Sequence, residues 1–238
     1  MARSFTVPYT DEYTELHFDD RLAVVTVDTQ NDWVQPGALY YIERAASIVP
    51  SVARLAAATR QSRSALIHVI RLYAGDGSNA DLCRIRDLST GRTSCLPGSD
   101  GAELVDSLKP TTGTRLDADL LLSGEFQELG GREYAAYKPR FGAFSNAGFG
   151  DKLRALGIDS LLVCGVSFPR CVLSTLFGAI DHDFRVGLVT DATAEVDETE
   201  FAFLKGIGLQ ALTTQEAIER ISAPPVASLG SAGKAEGQ

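Results

Sequence analysis

The sequence predicts a single three-layer α/β/α domain built on a mainly parallel sheet of about six strands. Two observations predict this class. First, several short runs of apolar and β-branched residues lack polar alternation, which is typical of strands that are buried on both faces. Second, segments with apolar residues at helical spacing separate these runs, and such alternation produces right-handed β-α-β crossovers. The chain has 238 residues, which is enough to bury the core of one large domain.

The predicted strands end at polar residues or tight turns. In chain order they cover 21–28, 64–73, 133–138, 160–166, 184–192 and 209–213. The first strand ends at Asp28, the third at Lys138, the fourth at the turn before Cys171, and the fifth at Asp191. Because ligands of open α/β sheets bind beyond the carboxyl ends of the strands, we expect these residues to converge at one edge.

Five helices are predicted from periodicity and from helix-end signals. They cover 44–62, 149–158, 170–181, 197–208 and 213–221. Pro50 either kinks the first helix or lies near its start, and Gly157 closes the second. In the last helix, Thr213 and Glu216 have the spacing of a capping box.

The domain is expected to cover 21–221, after an N-terminal arm at 1–20 and before a tail at 222–238. The tail is rich in small residues, Pro and Gly, so we expect it to be disordered. Within the domain, the stretch 74–110 is rich in Gly, Ser and Asp and shows no sustained period. A loop of that length is either a lid, binding or interface segment, or an insertion without a function.

Composition excludes several classes of partner. The 22 basic and 31 acidic residues give a net charge of −9, which argues against a general nucleic-acid or anionic-membrane surface. No apolar run reaches the roughly 18 residues that a membrane span needs. The N-terminus lacks the apolar core of a secretory signal, so a cytoplasmic protein is expected.

The four cysteines are expected to be free thiols. Cys83, Cys95, Cys164 and Cys171 follow no C-x-x-C or finger-like spacing, so a zinc site and a disulfide framework are both disfavoured. Cys164 falls inside a predicted strand, where an apolar environment raises the pKa of a thiol and leaves it inert. Cys171 falls in the first turn of a predicted helix, where unpaired N–H groups favour a thiolate.

Three ordered motifs surround the strand ends. They are D-x-Q-N-D-W at Asp28–Trp33, K-x-x-x-G-A-F at Lys138–Phe144, and G-V-x-x-x-x-C-V-x-x-T at Gly165–Thr175. This set resembles the isochorismatase-like cysteine hydrolase superfamily, which also holds nicotinamidases, carbamoylsarcosine amidases, and ureidoacrylate and biuret hydrolases. The resemblance covers roughly residues 20–215.

The resemblance implies a catalytic triad of Asp28, Lys138 and Cys171, with Cys171 as the nucleophile. It also implies a cis peptide bond between Val166 and Ser167, in a turn whose backbone N–H groups, with that of Cys171, receive an oxyanion. The chemistry of the side chains fits these roles, because a carboxylate can take up and return a proton and an ammonium favours an ionised sulfur. Each residue alone also has an ordinary structural interpretation. Asp28 could cap a turn, Lys138 could be a surface ion-pair partner, and Cys171 could be a core thiol.

Further residues near the strand ends are candidates for substrate binding, each with a structural alternative in a turn, in the core or in solvent. They are Gln30, Trp33, Arg71, Tyr73, Phe141, Phe144, Phe168 and Arg170.

A metal and a cofactor are not expected. Nicotinamidases of this superfamily carry a D-x-H metal motif after the second strand, and His17, His68 and His182 lie in no such motif. His68 is more simply a packed core histidine. A nicotinamidase is therefore disfavoured.

The predicted function is a metal-free hydrolase that cleaves a C–N bond of a small amide, ureide or carbamoyl compound with water, through an acyl-thioenzyme. Two alternatives stay open: a vinyl-ether hydrolase of the isochorismatase type, and a non-catalytic, partner-binding member of the superfamily. By resemblance, a homodimer or homotetramer is expected.

Overall fold

A seven-stranded sheet forms the centre of the protein in the computed structural model, which describes residues 12–223. The strands are β1 (Leu22–Val27), β2 (Ala65–Ile70), β3 (Gln127–Gly130), β4 (Glu133–Tyr137), β5 (Ser160–Gly165), β6 (Arg185–Thr193) and β7 (Gln210–Leu212). Their spatial order is β3-β4-β2-β1-β5-β6-β7, and every neighbouring pair is parallel except β3 and β4. The predicted fold class is confirmed, with one strand more than expected. That strand, β3, is a four-residue edge strand whose polar sequence carries no strand signal.

Helices cover both faces of the sheet. They are α1 (Asn31–Val34), α2 (Ala45–Arg60), α3 (Ile85–Ser89), α4 (Ala118–Leu122), α5 (Phe149–Ala155), α6 (Leu173–Asp181), α7 (Glu198–Lys205) and α8 (Thr214–Ser222). Successive residues of β1 pack into two separate cores, because side chains alternate across a strand. Leu22 and Val24 pack in the core that includes residues of α2 and α8, and Ala23 and Val25 pack in the core that includes residues of α5 and α6.

Local signals explain where several helices begin and end. The capping box of α8 is confirmed: the Thr213 side chain accepts from the N–H of Glu216, whose carboxylate accepts from the N–H of Thr213. Gly157, with φ at +78°, follows the end of α5. Pro50 lies inside α2.

The ends of β1, β2 and β5 lie at one edge of the sheet. The N–H of Asp28 donates to Val69 O, and that of Lys138 donates to Ile70 O, so both residues are anchored directly after a strand. Gly165 ends β5 with φ at +117°, and a Cβ there would collide with the backbone of Val27. Only glycine tolerates that conformation together with that close approach.

Asp191 does not join this edge, which corrects the expectation from sequence. The strand β6 continues past it to Thr193, and the Asp191 carboxylate accepts from the backbone N–H and the hydroxyl of Thr214 at the start of α8. A carboxylate at a helix N-terminus satisfies unpaired N–H groups. The role of Asp191 is therefore structural.

Part of the expected N-terminal arm packs against the sheet, since Leu16 is buried and lies against Gly187 of β6. The disorder predicted for 222–238 lies outside the described residues, except for Ser222, which ends α8, and Ala223. In the part of the chain that the structure describes, no helix is both long and apolar enough to cross a membrane.

Candidate active site

Asp28 lies immediately after β1 in an unusual backbone conformation. Its φ is +50°, in the left-handed region that costs a non-glycine residue roughly 1–2 kcal/mol. Such positions persist where the surrounding structure holds them, and they are frequent at functional sites. The side chain of Asp28 is nevertheless almost fully buried.

The ammonium group of Lys138 contacts both the carboxylate of Asp28 and the sulfur of Cys171. Its Nζ lies 2.9 Å from Oδ2 of Asp28, 3.5 Å from Sγ of Cys171 and 3.3 Å from the carbonyl oxygen of Arg140. The side chains of Lys138 and Asp28 are only 2% and 3% exposed. The structure therefore brings the three residues of the expected triad together around one ammonium group.

Cys171 lies in a π-helical turn, Phe168–Val172, that continues into α6. The N–H of Val172 donates to Ser167 O, five residues earlier, and such turns occur frequently at functional sites. The regular helix thus begins later than predicted from sequence, at Leu173 rather than at Arg170. The peptide bond between Val166 and Ser167 is cis, as the resemblance implies.

The surroundings of Cys171 oppose ionisation of its thiol, whereas the sequence favoured a thiolate. Desolvation raises the pKa of Cys171 to about 12, and the negative charge of Asp28 raises it further, while Lys138 only partly opposes them. Burial alone would lower the pKa of Lys138, but Asp28 and the sulfur raise it. These surroundings favour a neutral thiol beside the ion pair.

Cys164 differs from Cys171 in its surroundings. It is fully buried in β5, as predicted, and desolvation raises its pKa to about 12. It packs in the apolar core.

Asp28, Lys138 and Cys171 line a narrow cavity of about 20 Å³, which is roughly the space that one water molecule needs. The lining residues are Asp28, Trp33, Ile42, Arg71, Tyr73, Asp81, Arg84, Lys138, Arg140, Phe141, Val166, Ser167, Arg170 and Cys171. Five of the eight residues predicted as substrate contacts are among them: Trp33, Arg71, Tyr73, Phe141 and Arg170.

Three predicted contacts do not line this cavity. Gln30 is fully buried, and its amide bonds the backbone of Arg71 and Ala102, so it ties β1 to neighbouring segments. Phe144 packs edge-on against Phe149 and also against other aromatic rings. Phe168 is fully buried in the apolar core.

Two charged lining residues, Asp81 and Arg84, come from the loop 74–110 and were not predicted from the sequence. Asp81 accepts hydrogen bonds from Arg71 and from the hydroxyl of Tyr73. Arg84 lies over the stacked rings of Trp33 and Tyr40. The only signal for them is their position in a polar loop that follows β2 at the carboxyl edge. Part of that loop thus belongs to the wall of the cavity.

Buried polar atoms without hydrogen-bond partners cluster around the cavity. Within residues 12–223, five buried side-chain polar atoms have no hydrogen-bond partner, and every one belongs to a lining residue. They are Oδ1 of Asp28, Nε1 of Trp33, Nε of Arg71, Oδ1 of Asp81 and Nε of Arg84. Buried polar groups are normally paired, so this grouping indicates a site for a polar ligand.

The histidines lie outside this cavity. His17 bonds Asp159, His68 bonds Thr26 and Glu133 in the core, and His182 bonds a carbonyl oxygen in α6. No cluster of three or more His, Cys, Asp or Glu side chains arranged to hold a metal occurs among the described residues.

Comparisons with known proteins agree with the fold. The isochorismatase domain model matches residues 22–216. A probable inactive nicotinamidase of Arabidopsis thaliana is 30% identical over 206 residues, which cover 84% of this chain and 96% of that protein. A ureidoacrylate amidohydrolase of Methylobacterium radiotolerans is 27% identical over 190 residues, which cover 71% of this chain and 66% of that protein. An isochorismatase family protein of Desulfovibrio vulgaris superimposes with a TM-score of 0.71 at 30% identity, over 85% of this chain and 99% of that chain.

The fold and site define an α/β protein with a small cavity lined by charged and aromatic side chains at the carboxyl edge of its sheet. The chain belongs to the isochorismatase family. Relatives named as amidohydrolases support a hydrolase that acts on C–N bonds, whereas the Arabidopsis relative is named as probably inactive.

Proposed function

We propose that the protein is a metal-free cysteine hydrolase that cleaves a C–N bond of a small amide, ureide or carbamoyl compound. The observation that carries this proposal is the position of Lys138, whose ammonium contacts both the Asp28 carboxylate and the Cys171 sulfur. A nucleophile, a base and a fixed positive charge are the components that covalent catalysis of acyl transfer requires.

Acylation begins from the neutral thiol. Oδ1 of Asp28 is buried without a partner, so it is available to accept the thiol proton as Sγ of Cys171 bonds to the substrate carbonyl carbon. The carbonyl oxygen becomes an oxyanion, which the N–H groups of Ser167 and Cys171 stabilise in this proposal. Asp28 then returns the proton to the nitrogen, the C–N bond breaks, and ammonia or an amine leaves.

Deacylation repeats these steps with water. Asp28 takes a proton from water as the oxygen bonds to the acyl carbon, and the C–S bond breaks. The proton returns to sulfur, and the acid product leaves. Lys138 keeps one positive charge beside both groups throughout and stabilises negative charge as it develops on sulfur.

Ammonia release from a panel of small amides and ureides tests this function. The wild-type protein should release ammonia from at least one member, Cys171→Ala should release none above background, and Cys164→Ala should retain the wild-type rate. Cys164 is a matched control because its pKa is raised to about 12 like that of Cys171, and it lies outside the cavity. Equal losses in two folded variants would contradict the proposal.

A non-catalytic, partner-binding role is the second candidate, because the Arabidopsis relative is named as probably inactive. It predicts no turnover of any panel member by the wild-type protein, and turnover that depends on Cys171 would reject it.

A further inference from the structure

Two of the motifs contain residues that the proposed reaction does not use. One set is Gly142–Phe144, which ends the motif that begins at Lys138, and the other is Thr175, four positions after Cys171. Thr175 lies in α6 and is fully buried, as is Ala143. Contacts between these two sets determine how the segment after Lys138 packs on α6.

The hydroxyl of Thr175 connects the two motifs. It donates to the carbonyl oxygen of Cys171 at 2.7 Å and accepts from the backbone N–H of Ala143 at 3.1 Å. A bond from a threonine to the carbonyl oxygen four residues earlier is a regular feature of helices, but the second bond is not part of helix geometry. Because a hydroxyl has one proton to donate and lone pairs that accept, both bonds form together.

Two glycines allow the segment to approach α6 this closely. A Cβ on Gly142 would lie 2.6 Å from Oγ of Ser174 and 2.8 Å from its carbonyl oxygen, and a Cβ on Gly178 would lie 2.9 Å from Cβ of Phe144. These distances are too short for non-bonded contacts to carbon. The segment is therefore held on α6 by its close fit as well as by the hydrogen bond to Thr175.

The same segment holds the ammonium of Lys138. Its Nζ donates to the carbonyl oxygen of Arg140 at 3.3 Å and to the sulfur of Cys171 at 3.5 Å. Within the segment, the Ser145 hydroxyl accepts from the N–H of Arg140 and donates to the carbonyl oxygen of Gly142, which keeps the turn compact. A shift of this turn relative to α6 would therefore change the distance between the ammonium and the sulfur.

We propose that Thr175 is a positioning residue, whose hydroxyl fixes the Lys138 ammonium against the Cys171 sulfur by holding the segment 139–143 on α6. Its effect on hydrolysis rests on the proposed function, in which the ammonium stabilises negative charge on sulfur. Its effect on the thiol does not, since the charge of Lys138 lowers the pKa of Cys171 against the opposing effects of burial and of Asp28. The reactivity of the thiol therefore gives a test that needs no turnover.

Alkylation of Cys171 by iodoacetamide at pH 9 provides this test in Thr175→Val, because valine has nearly the shape of threonine but no hydroxyl. Loss of the ammonium contact should raise the pKa of Cys171 and lower its thiolate fraction, by about tenfold for each unit. A more basic thiolate is a better nucleophile, which recovers about half of this change on a logarithmic scale. We therefore expect alkylation to be about threefold slower, and Thr175→Ser, which retains the hydroxyl, should keep the wild-type rate.

Thr59→Val is the matched control. Thr59 is a buried threonine of α2 whose hydroxyl donates to the carbonyl oxygen of Leu55, again four residues earlier, and it lies outside the cavity. This variant should leave the alkylation of Cys171 unchanged. Peptide mass spectrometry separates the cysteines, with exposed Cys83 as the internal reference.

The background Asp28→Asn/Lys138→Met tests whether Thr175 acts through Lys138. There, Thr175→Val should leave the alkylation of Cys171 unchanged, because no ammonium remains to be positioned. Thermal unfolding establishes that each variant is folded. Thr175→Ala also lacks the hydroxyl and places no methyl group against the N–H of Ala143, so it takes the place of Thr175→Val where that variant does not fold.

Steady-state ammonia release from a panel substrate tests the effect on hydrolysis. Thr175→Val should lower kcat by about tenfold and leave KM within about twofold, as expected for loss of an interaction that strengthens only as charge develops. Thr175→Ser should restore kcat.

Unchanged or faster alkylation of Cys171 in Thr175→Val would overturn the positioning role, as would an equal slowing in the background that lacks Lys138. These outcomes leave the proposed hydrolysis intact if Cys171 is required for ammonia release. Conversely, slower alkylation in Thr175→Val, rescued by Thr175→Ser, in a protein that releases no ammonia supports the positioning role and counts against the proposed function.

Discussion

The Lys138 ammonium and the Asp28 carboxylate form an ion pair 2.9 Å long that is almost completely withdrawn from solvent. Two charges buried this deeply are stable only together, because either one alone would lose its hydration without compensation. The ammonium of this pair also contacts the sulfur of Cys171, at a distance of 3.5 Å. The ion pair of Asp28 and Lys138 therefore affects both the stability of the fold and the surroundings of the Cys171 sulfur.

Lys138→Met should destabilise the fold by about 3–5 kcal/mol, because it leaves the Asp28 carboxylate buried without its partner. The double variant Asp28→Asn/Lys138→Met removes both charges and should recover much of that loss. Urea unfolding at pH 7 measures the free energies. If the double variant loses as much free energy of unfolding as the two single variants lose together, the coupling is contradicted.

Alkylation of Cys171 by iodoacetamide should be slow at pH 7 and should rise about tenfold per pH unit through pH 10, because the thiolate is the reacting form and its pKa is raised to about 12. Asp28→Asn removes the charge that helps to raise this pKa, so alkylation at pH 8 should become faster. Peptide mass spectrometry follows each cysteine separately, with exposed Cys83 as the internal reference. A plateau of the Cys171 rate near pH 7 would show instead that its sulfur is held ionised.

Asp28→Asn should lower the rate of C–N cleavage by about a hundredfold to ten-thousandfold, which is the usual contribution of a general acid-base group. The amide has the size of the carboxylate but cannot take up the thiol proton at neutral pH. Steady-state ammonia release measures the effect on any substrate found in the panel. Wild-type activity in this variant would remove Asp28 from the mechanism.

Glu133 should control stability in acid, away from the cavity. Burial alone would raise the pKa of its carboxyl, but hydrogen bonds from Arg60 and His68 lower it to about 2. Because the pKa is lower in the folded state, the stabilisation is complete above pH 4.5 and is lost as the pH falls towards 2. It amounts to about 3 kcal/mol at neutral pH.

Glu133→Gln should lack this contribution, so its free energy of unfolding should change less than that of the wild type between pH 4.5 and 2. Chemical unfolding at several pH values gives both curves. Parallel curves would contradict the lowered pKa.

The edge where Asp28, Lys138 and Cys171 lie could be predicted from the sequence because it follows from topology. Apolar runs locate β1, β2, β4 and β5, and the carboxyl ends of parallel strands meet at one side of a sheet. Asp28, Lys138 and Cys171 follow three of these ends. Asp191 did not follow the rule, because β6 extends beyond it and its carboxylate instead caps α8.

The wall of the cavity was harder to predict. Arg84 and Asp81 lie in a loop without periodicity, and their positions depend on contacts with Trp33, Arg71 and Tyr73 that no local pattern encodes. The raised pKa of Cys171 also escaped prediction, since it depends on desolvation and on the balance between two opposite charges. Phe144 and Phe168 belong to the motifs, but their side chains pack into the core, which spacing alone does not reveal.

The most direct test is the mass of the peptide that contains Cys171, measured after acid quenching during turnover of a substrate from the panel. The proposed mechanism predicts an added mass equal to the acyl group on Cys171, absent from Cys171→Ala and unaffected by Cys164→Ala. Turnover that continues in Cys171→Ala, or an acyl group found on another residue, would contradict the account.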